Sequence, residues 1–520
     1  MSLFAGLPVV LFLSLGLVPS GVANRHFERF FRFVFAAALT ALVLAVIAAG
    51  SLFSSQLHSH AAGFDAQLPL TGGVYFDGLS AVMLVLISAL GLVIIQYSHR
   101  YLATDPARGR FLRWICVTLG GISWFVVAGD LATLTLAWML TSFGLHQLLT
   151  HYGDRSWAIW AARKKFLISR IGDLLLLAAL ALTYATVGSV EFAAVFEAAA
   201  KHSEATRGGW EWSAIAYLFV LGAMTKSAQV PFHSWLPDTM DTPTPVSALM
   251  HAGIINAGGF LVLRLSPVIV SSPAAMNTLA CCGALTALFG SVVMLTQTSI
   301  KRSLAYSTIA QMGFMMLQCG LGAFSAALLH LVAHSVYKAH AFLRSGSITA
   351  AAPARPSGRA PLTLLPVAAL VAVACVLGAS WTTGVNFASK AGGPVLGFVL
   401  AMALTHLIWQ TLATLSPGLV AVAVGKAATA AVAYCVGLLL TEHVLSAAEI
   451  PLVTAQSLDP TVAILVALGF LGVFVLQAVA AGRGGPWLSS LFVHAMNGFY
   501  LDIPARRITA RFWGLKTPVP

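Results

Sequence analysis

Runs of about 20 apolar residues recur along this chain with almost no charge inside them, which is the length needed to cross a bilayer as a helix. The polar segments between them are too short to build a water-soluble domain. Charged residues make up 9% of the 520, hydrophobic residues 58%, and mean hydropathy is +0.87. An ordinary soluble domain carries about 25% charged residues, so a soluble globular enzyme is excluded. Disorder is excluded too, because it needs low hydrophobicity and high net charge. Apolar runs bounded by turn and charge signals give about fifteen candidate spans. They cover 3–22, 33–53, 77–97, 112–129, 131–149, 165–187, 212–240, 244–265, 274–297, 303–320, 324–345, 361–385, 395–414, 416–441 and 460–482. The least sharply bounded are 361–414, where one span could be broken, and 416–441. The fold class is therefore an all-α polytopic membrane protein.

Lys and Arg number 29 against 17 Asp and Glu, a net charge of +12. The basic residues sit in short loops between apolar runs, which is an orientation signal and not a nucleic-acid footprint. Arg25, Arg29 and Arg32 follow the first span, and 54–76 holds no Lys or Arg. Arg100, Arg108, Arg110 and Arg113 follow the third span; Arg155, Arg163, Lys164, Lys165 and Arg170 follow the fifth. Arg355, Arg359, Arg483 and Lys516 continue the pattern toward the tail. Positive-inside then puts the N-terminus outside and the C-terminus in the cytoplasm of a bacterial inner membrane. The first run has no basic segment before it and is read as a retained span, not a cleaved signal. The six cysteines lie in apolar stretches without a CxxC pair and are read as packing residues. The Ala/Pro/Gly-rich stretch 350–361 is the expected flexible link.

Ionisable residues inside spans are costly and point to function. Lys226 lies well inside an apolar segment, and Pro231 follows it. Because Pro231 has no N–H, the carbonyl of Ser227 loses its helical partner. A broken helix at membrane depth is tolerated where it lines a wet cavity. Burial disfavours the charged form of an amine, so a lysine there can take and release a proton; the alternative is a side chain snorkelling to the interface. His330, His334 and Lys338 fall at successive i,i+4 steps and share a face. Histidine titrates near neutral pH, which suits a proton relay; a metal site or a pair of core histidines are the alternatives. His251 follows Pro243-Thr244-Pro245 by two turns and could reach Lys226 if the helices pack side by side, or be a satisfied core histidine. Asp173 could pair with a buried cation or be a surface acid at a helix start. Lys390, near Gly392 and Gly393, could sit at a helix break or in an outside loop, and Lys426 is a weaker candidate.

The sequence has no GxxxxGK[ST], HExxH, GxSxG or dinucleotide fingerprint and no haem or iron–sulfur spacing. The chain is read as an ion-conducting subunit and not an enzyme, with energy supplied by an ion gradient or a partner.

The stretch from Tyr75-Phe76-Asp77-Gly78-Leu79-Ser80 to about Ser347 resembles the antiporter-like subunits of respiratory complex I and of Mrp cation/proton antiporters. The motifs are Lys226-Ser227-Ala228-Gln229 with Pro231, Pro243-Thr244-Pro245-Val246-Ser247-Ala248-Leu249, Lys301-Arg302-Ser303-Leu304-Ala305-Tyr306-Ser307-Thr308, and the His330/His334/Lys338 span. The resemblance implies two inverted five-helix repeats, each with a broken helix, at 111–266 and 267–415, flanked by 1–110 and 416–520. It implies that Lys226 is the central lysine of the first repeat, that His251, His330 and His334 belong to a linking polar axis, and that Lys390 is the second-repeat lysine. The superfamily's glutamate after a tryptophan is missing, because Trp138 is followed by Met139.

The run Leu140-Thr141-Ser142 to His146, then Ala161-Ala162-Arg163-Lys164-Lys165-Phe166 with Ser169-Arg170 and Asp173, resembles the DabB membrane subunits of DAB inorganic carbon transporters. That resemblance implies a DabA-like cytoplasmic zinc protein as partner, with inward flow of H+ or Na+ driving CO2 hydration to bicarbonate. Zinc is expected in the partner, with no cofactor or metal in this chain. The expected path runs through Lys226, His251, His330, His334 and Lys338, with Asp173 as charge partner and Lys390 as a further candidate. Arg155, Arg163, Lys164 and Lys165 are the expected partner-facing residues. The alternatives are a proton-pumping subunit of a complex I-like enzyme and an Mrp-type cation/proton antiporter.

Overall fold

The computed structural model describes residues 2–62, 73–204, 209–346, 361–412, 417–446, 448, 450–451, 460–482 and 485–514. The expected link 350–361 lies outside the described residues except for Pro361, as do Arg355, Arg359, Arg483 and Lys516. Among the described residues the elements are helices, with isolated bridges joining Val74 to Ala128 and Asp130 to Glu191.

An N-terminal group comprises α1 (Ser2–Gly16), α2 (Ser20–Arg25), α3 (Phe27–Ala62), α4 (Gly78–Tyr101) and α5 (Arg108–Val127). Next come α6 (Leu131–Leu149), α7 (Ser156–Val187), α8 (Phe192–Glu204) and α9 (Trp210–Lys226), with α7 packed on both α6 and α9. The middle of the chain forms α10 (Thr244–Ala252), α11 (Ala257–Arg264), α12 (Ser266–Val270), α13 (Pro273–Met294), α14 (Ile300–Gly320) and α15 (Phe324–Arg344). It ends with α16 (Leu365–Thr383), α17 (Gly393–Leu412), α18 (Pro417–Ser446), α19 (Pro460–Gly482), α20 (Pro486–Met496) and α21 (Ile503–Trp513). Caps fix several starts. Asp77 accepts from the Ser80 amide at 2.8 Å ahead of α4, and Asp130 forms a capping box with Thr133 ahead of α6.

Ten helical stretches among the described residues are long and apolar enough to cross a membrane. The expected count of about fifteen is not reached on that measure, and the shortfall has a physical cause. The other expected spans fall on α1, α6, α9, α14 and α15. Helices α1 and α9 are only 15 and 17 residues long. Helix α14 has Lys301 and Arg302 in its first turn, α15 carries His330, His334, Lys338 and His340, and α6 has His146 and Gln147 in its last turn. Apart from α1, these are helices of the candidate path itself. In the most apolar 18-residue window of the interrupted stretch Thr244–Arg264, 94% of the residues are buried, against 11% in that of Pro460–Val479, so the breaks lie at the centre and α19 at the periphery.

The expected span 212–240 stops as a helix at Lys226. Ser227 caps it, Ala228 takes the left-handed conformation at φ 48°, and the Gln229 amide reaches back to the Met224 carbonyl at 3.0 Å. Two 3-10 turns, Phe232–Trp235 and Pro237–Asp241, follow. The Ser227 carbonyl left open by Pro231 accepts from Gln229 Nε2 at 2.8 Å. The expected single span 244–265 is also interrupted, at Gly253 and a 3-10 turn over Ile254–Asn256. Ser227 Oγ donates to the Ile255 carbonyl at 2.6 Å, which laces the two breaks together. Gly258 permits this approach, because a Cβ there would overlap the Ala223 carbonyl and Ser227 Oγ.

Candidate functional site

Helix α9 delivers Lys226 to the first break, where its side chain is 7% exposed. Its ammonium donates to the Trp138 carbonyl of α6 at 2.9 Å and lies 3.7 Å from the centre of the Trp138 ring. Met139 occupies the neighbouring position that a carboxylate would take, and Lys226 makes no ion pair among the described residues. A backbone oxygen and an indole face thus replace the missing acid. They stabilise the ammonium without binding it as tightly as a buried carboxylate would.

Asp173 is buried on α7, but its ion pair is with Arg170, one turn away, at 2.5 Å. The expected direct pairing with Lys226 is corrected accordingly. Asp173 remains close enough to act electrostatically on both Lys226 and Lys165. The expected docking residues also divide. Arg155 is exposed and stacks on Tyr152 at 4.3 Å, and Arg163 is half-buried over Trp513 of α21 at 5.0 Å. Lys164 and Lys165 are 1% and 4% exposed and cannot face a partner. Helix α7 begins at Ser156, so the basic run lies within a packed helix and not in a loop. Lys164 donates to Asp238 at 2.9 Å and to the Ser234 carbonyl at 3.0 Å; Lys165 donates to the Ser142 carbonyl at 2.8 Å.

A second cluster gathers on α10, α14 and α15. His251 is fully buried, with Nδ1 3.0 Å from Thr308 Oγ1 and its ring stacked on Phe342. It faces α14 and α15, so the expected reach to Lys226 is not among the contacts it makes. Lys338, also fully buried, donates to Ser307 Oγ at 2.8 Å and to the Leu304 carbonyl at 3.2 Å. Consecutive hydroxyls of α14 thus hold the lysine and the histidine. His330 contacts Gln318 Oε1 at 2.9 Å, and its ring centre is 6.0 Å from that of His334. His334 is buried with no hydrogen-bond partner on either nitrogen among the described residues. Most buried polar side-chain atoms have a hydrogen-bond partner, which sets His334 apart from the other buried histidines of this cluster.

The two clusters meet at the breaks. Asn256, just after Ile255, donates to Ser335 Oγ of α15 at 2.7 Å, and Ser335 sits beside His334 in sequence. The structure therefore brings Lys226 and the α15 stripe to opposite sides of one doubly broken region. Trp138, Asn256, Ser307, Thr308 and Gln318 are participants that sequence patterns did not single out by role. Lys165, read from the sequence as partner-facing, is buried beside Lys226 instead.

Lys390 lies in the connection between α16 and α17, where Gly392 has φ 64°, and not inside a broken helix. Its ammonium is held by both oxygens of Glu442 on α18 at 2.7 and 2.6 Å. The side chains are 28% and 38% exposed, and pairs in such settings contribute about 0–1 kcal/mol. Lys390→Ala is expected to change stability by less than about 1 kcal/mol, read from thermal unfolding in detergent. Among the described residues no group of three or more His, Cys, Asp or Glu is placed to hold a metal ion.

Comparisons with known proteins identify the family and the fold. A family model described as NADH:quinone oxidoreductase/Mrp antiporter, TM, matches residues 128–425, and one described as complex I chain 5 N-terminus matches 65–112. A protein of Halothiobacillus neapolitanus named probable inorganic carbon transporter subunit DabB2 is 40% identical over 446 residues, 85% of this chain and 80% of that one. The probable inorganic carbon transporter subunit DabB of Hydrogenovibrio crunogenus is 33% identical over 85% of this chain and 83% of its own length. Among solved structures, the Mrp complex from Dietzia sp. DQ12-45-1b aligns over 98% of this chain and 56% of that chain, with a TM-score of 0.57 and 22% identity, which supports a shared fold. The chain belongs to the NADH:quinone oxidoreductase/Mrp antiporter membrane family and, within it, to the DabB inorganic carbon transporter subunits.

Proposed function

We propose that this chain is the membrane subunit of an energy-coupled inorganic carbon pump, conducting H+ or Na+ to drive CO2 hydration by a cytoplasmic zinc partner. The observation that carries the reading is Lys226. It is a buried amine at a helix break, held by a carbonyl and an aromatic face, with titratable groups leading away from it. A group held this way can change protonation state without breaking a carboxylate pair. On this reading protons are exchanged between Lys226 and the group His334, His330, Lys338 and His251 across the broken region. The proposed repeats are 111–266 and 267–415, flanked by 1–110 and 416–520, with the N-terminus outside and the C-terminus in the cytoplasm. The hydration chemistry belongs to the partner's zinc, which activates water as a nucleophile. This chain supplies the ion flow that makes hydration one-way and traps bicarbonate inside.

The test is co-expression of this chain with its zinc partner in a bacterium unable to grow in air without added CO2. Growth in air and accumulated bicarbonate are expected, and both should collapse when an ionophore dissipates the membrane potential and ion gradients. Accumulation that survives the ionophore overturns the energy-coupled reading. Cation/proton exchange by this chain alone in vesicles would instead favour the Mrp-type antiporter.

A further inference from the structure

Two lysines hang from one face of α6. Lys226 donates to the carbonyl of residue 138 and Lys165 to the carbonyl of residue 142. Those carbonyls are four residues apart, about 6 Å along the axis. His146 follows one further turn along, half-buried, with its ring 5.4 Å from that of Phe166. Positions 138, 142 and 146 therefore form a single ladder toward the C-terminal end of α6. We propose that Lys165 is a second proton-carrying residue, passing protons between Lys226 and His146 along this ladder. The proposal deepens the conducting role of Lys226 and rests on it.

The charges facing Lys165 support an exchange role over a structural one. On α7 are Arg170 and Asp173, already paired to each other at 2.5 Å, and Lys164, paired to Asp238 at 2.9 Å. On α9 is Lys226, its ammonium held on the same face of α6 one turn from that of Lys165. On α6 is His146. Neither Lys165 nor Lys226 has a carboxylate in an ion pair among the described residues, and like charges at this spacing in apolar surroundings oppose one another. Charging one disfavours charging the other. A proton arriving on Lys226 leaves as Lys226–NH3+ and Lys165–NH2 become Lys226–NH2 and Lys165–NH3+, with water as the carrier between the two nitrogens. Lys165 then yields it to the neutral ring of His146. The Gly172 backbone allows α7 to approach α9 this closely, since a Cβ there would overlap Thr225 Oγ1.

The experiment uses the full complex with its partner, purified and reconstituted into vesicles holding a pH-sensitive dye, alongside bicarbonate accumulation in cells. Lys165→Met is expected to lower proton flux per assembled complex at least tenfold, with Lys165→His restoring a measurable part of it. If Lys165→Met does not assemble, Lys165→His alone decides: flux above the Lys226→Met background supports the ladder, and flux at that background overturns it. Wild-type flux in Lys165→Met with a dead Lys226→Met overturns the ladder while leaving the conducting role intact. Wild-type flux in both variants sinks the conducting role itself. Loss of flux in Lys165→Met and Lys165→His alike, with normal assembly, makes Lys165 a fixed charge and overturns the proposal.

Discussion

Cells carrying Lys226→Ala are expected to accumulate bicarbonate no better than cells lacking the complex, with the complex still assembled in the membrane. The side chain is 7% exposed and its ammonium touches only a carbonyl and an indole ring among its described contacts. Removing it deletes no ion pair, so folding loses little beyond one hydrogen bond and a cation–π contact, about 1–3 kcal/mol. On the proposed mechanism transport loses the group that exchanges the proton, and removal of a positioned acid–base group costs on the order of 100-fold or more. Lys226→Arg separates the chemistry from the charge. Arginine keeps the cation and the aromatic contact but does not release its proton in proteins. The Arg variant should therefore assemble like the wild type and still fail to accumulate bicarbonate. Full accumulation in the Arg variant would show that Lys226 serves as a fixed charge, and full accumulation in both variants would remove it from the mechanism.

The parts of this site that were legible in sequence are those encoded by a residue type in the wrong environment. Lys226 stood out as a cation within an apolar run, and Pro231 announced the open Ser227 carbonyl that Gln229 now fills. The i,i+4 spacing of His330, His334 and Lys338 placed them on one face, and the structure keeps His334 and Lys338 buried on it. What sequence could not supply was direction. His251 turns to Thr308 and Phe342 because α10 ends at Gly253, and no periodicity marks where that break aims the ring. The carbonyls that hold Lys226 and Lys165 belong to residues 138 and 142, and every residue has a carbonyl, so spacing carries no signal for it. Lys164 and Lys165 read as a basic loop because charge was weighed by local hydropathy. In the fold a long lysine stem crosses apolar packing and finds its acceptor on another element.

The second large effect is expected far from the lysines, at Arg264 and Asp77. Arg264 closes α11, and its guanidinium donates to both Asp77 oxygens at 2.6 and 3.0 Å and to Ser80 Oγ at 2.6 Å. Both side chains are almost fully buried, 2% and 8% exposed. Asp77 has a second task, capping α4 through the Ser80 amide, while Ser80 Oγ also donates to the Val126 carbonyl at 2.8 Å. One ion pair therefore ties the broken helix to α4 and the end of α5. Arg264→Leu leaves a buried carboxylate without its cation, and breaking a buried pair on one side costs about 3–5 kcal/mol. That is a large share of the 5–15 kcal/mol typical of a folded domain, so the variant should accumulate poorly and unfold at markedly lower temperature in detergent. Asp77→Ser together with Arg264→Leu removes both charges while keeping a side-chain oxygen for the α4 cap. The double variant should regain most of the lost stability, because replacing both members of a buried pair is often neutral. A double variant as unstable as Arg264→Leu alone would mean that the guanidinium stabilises the fold through Ser80 and the rings of Tyr75 and Phe260, 4.7 and 5.4 Å away, and not through the carboxylate.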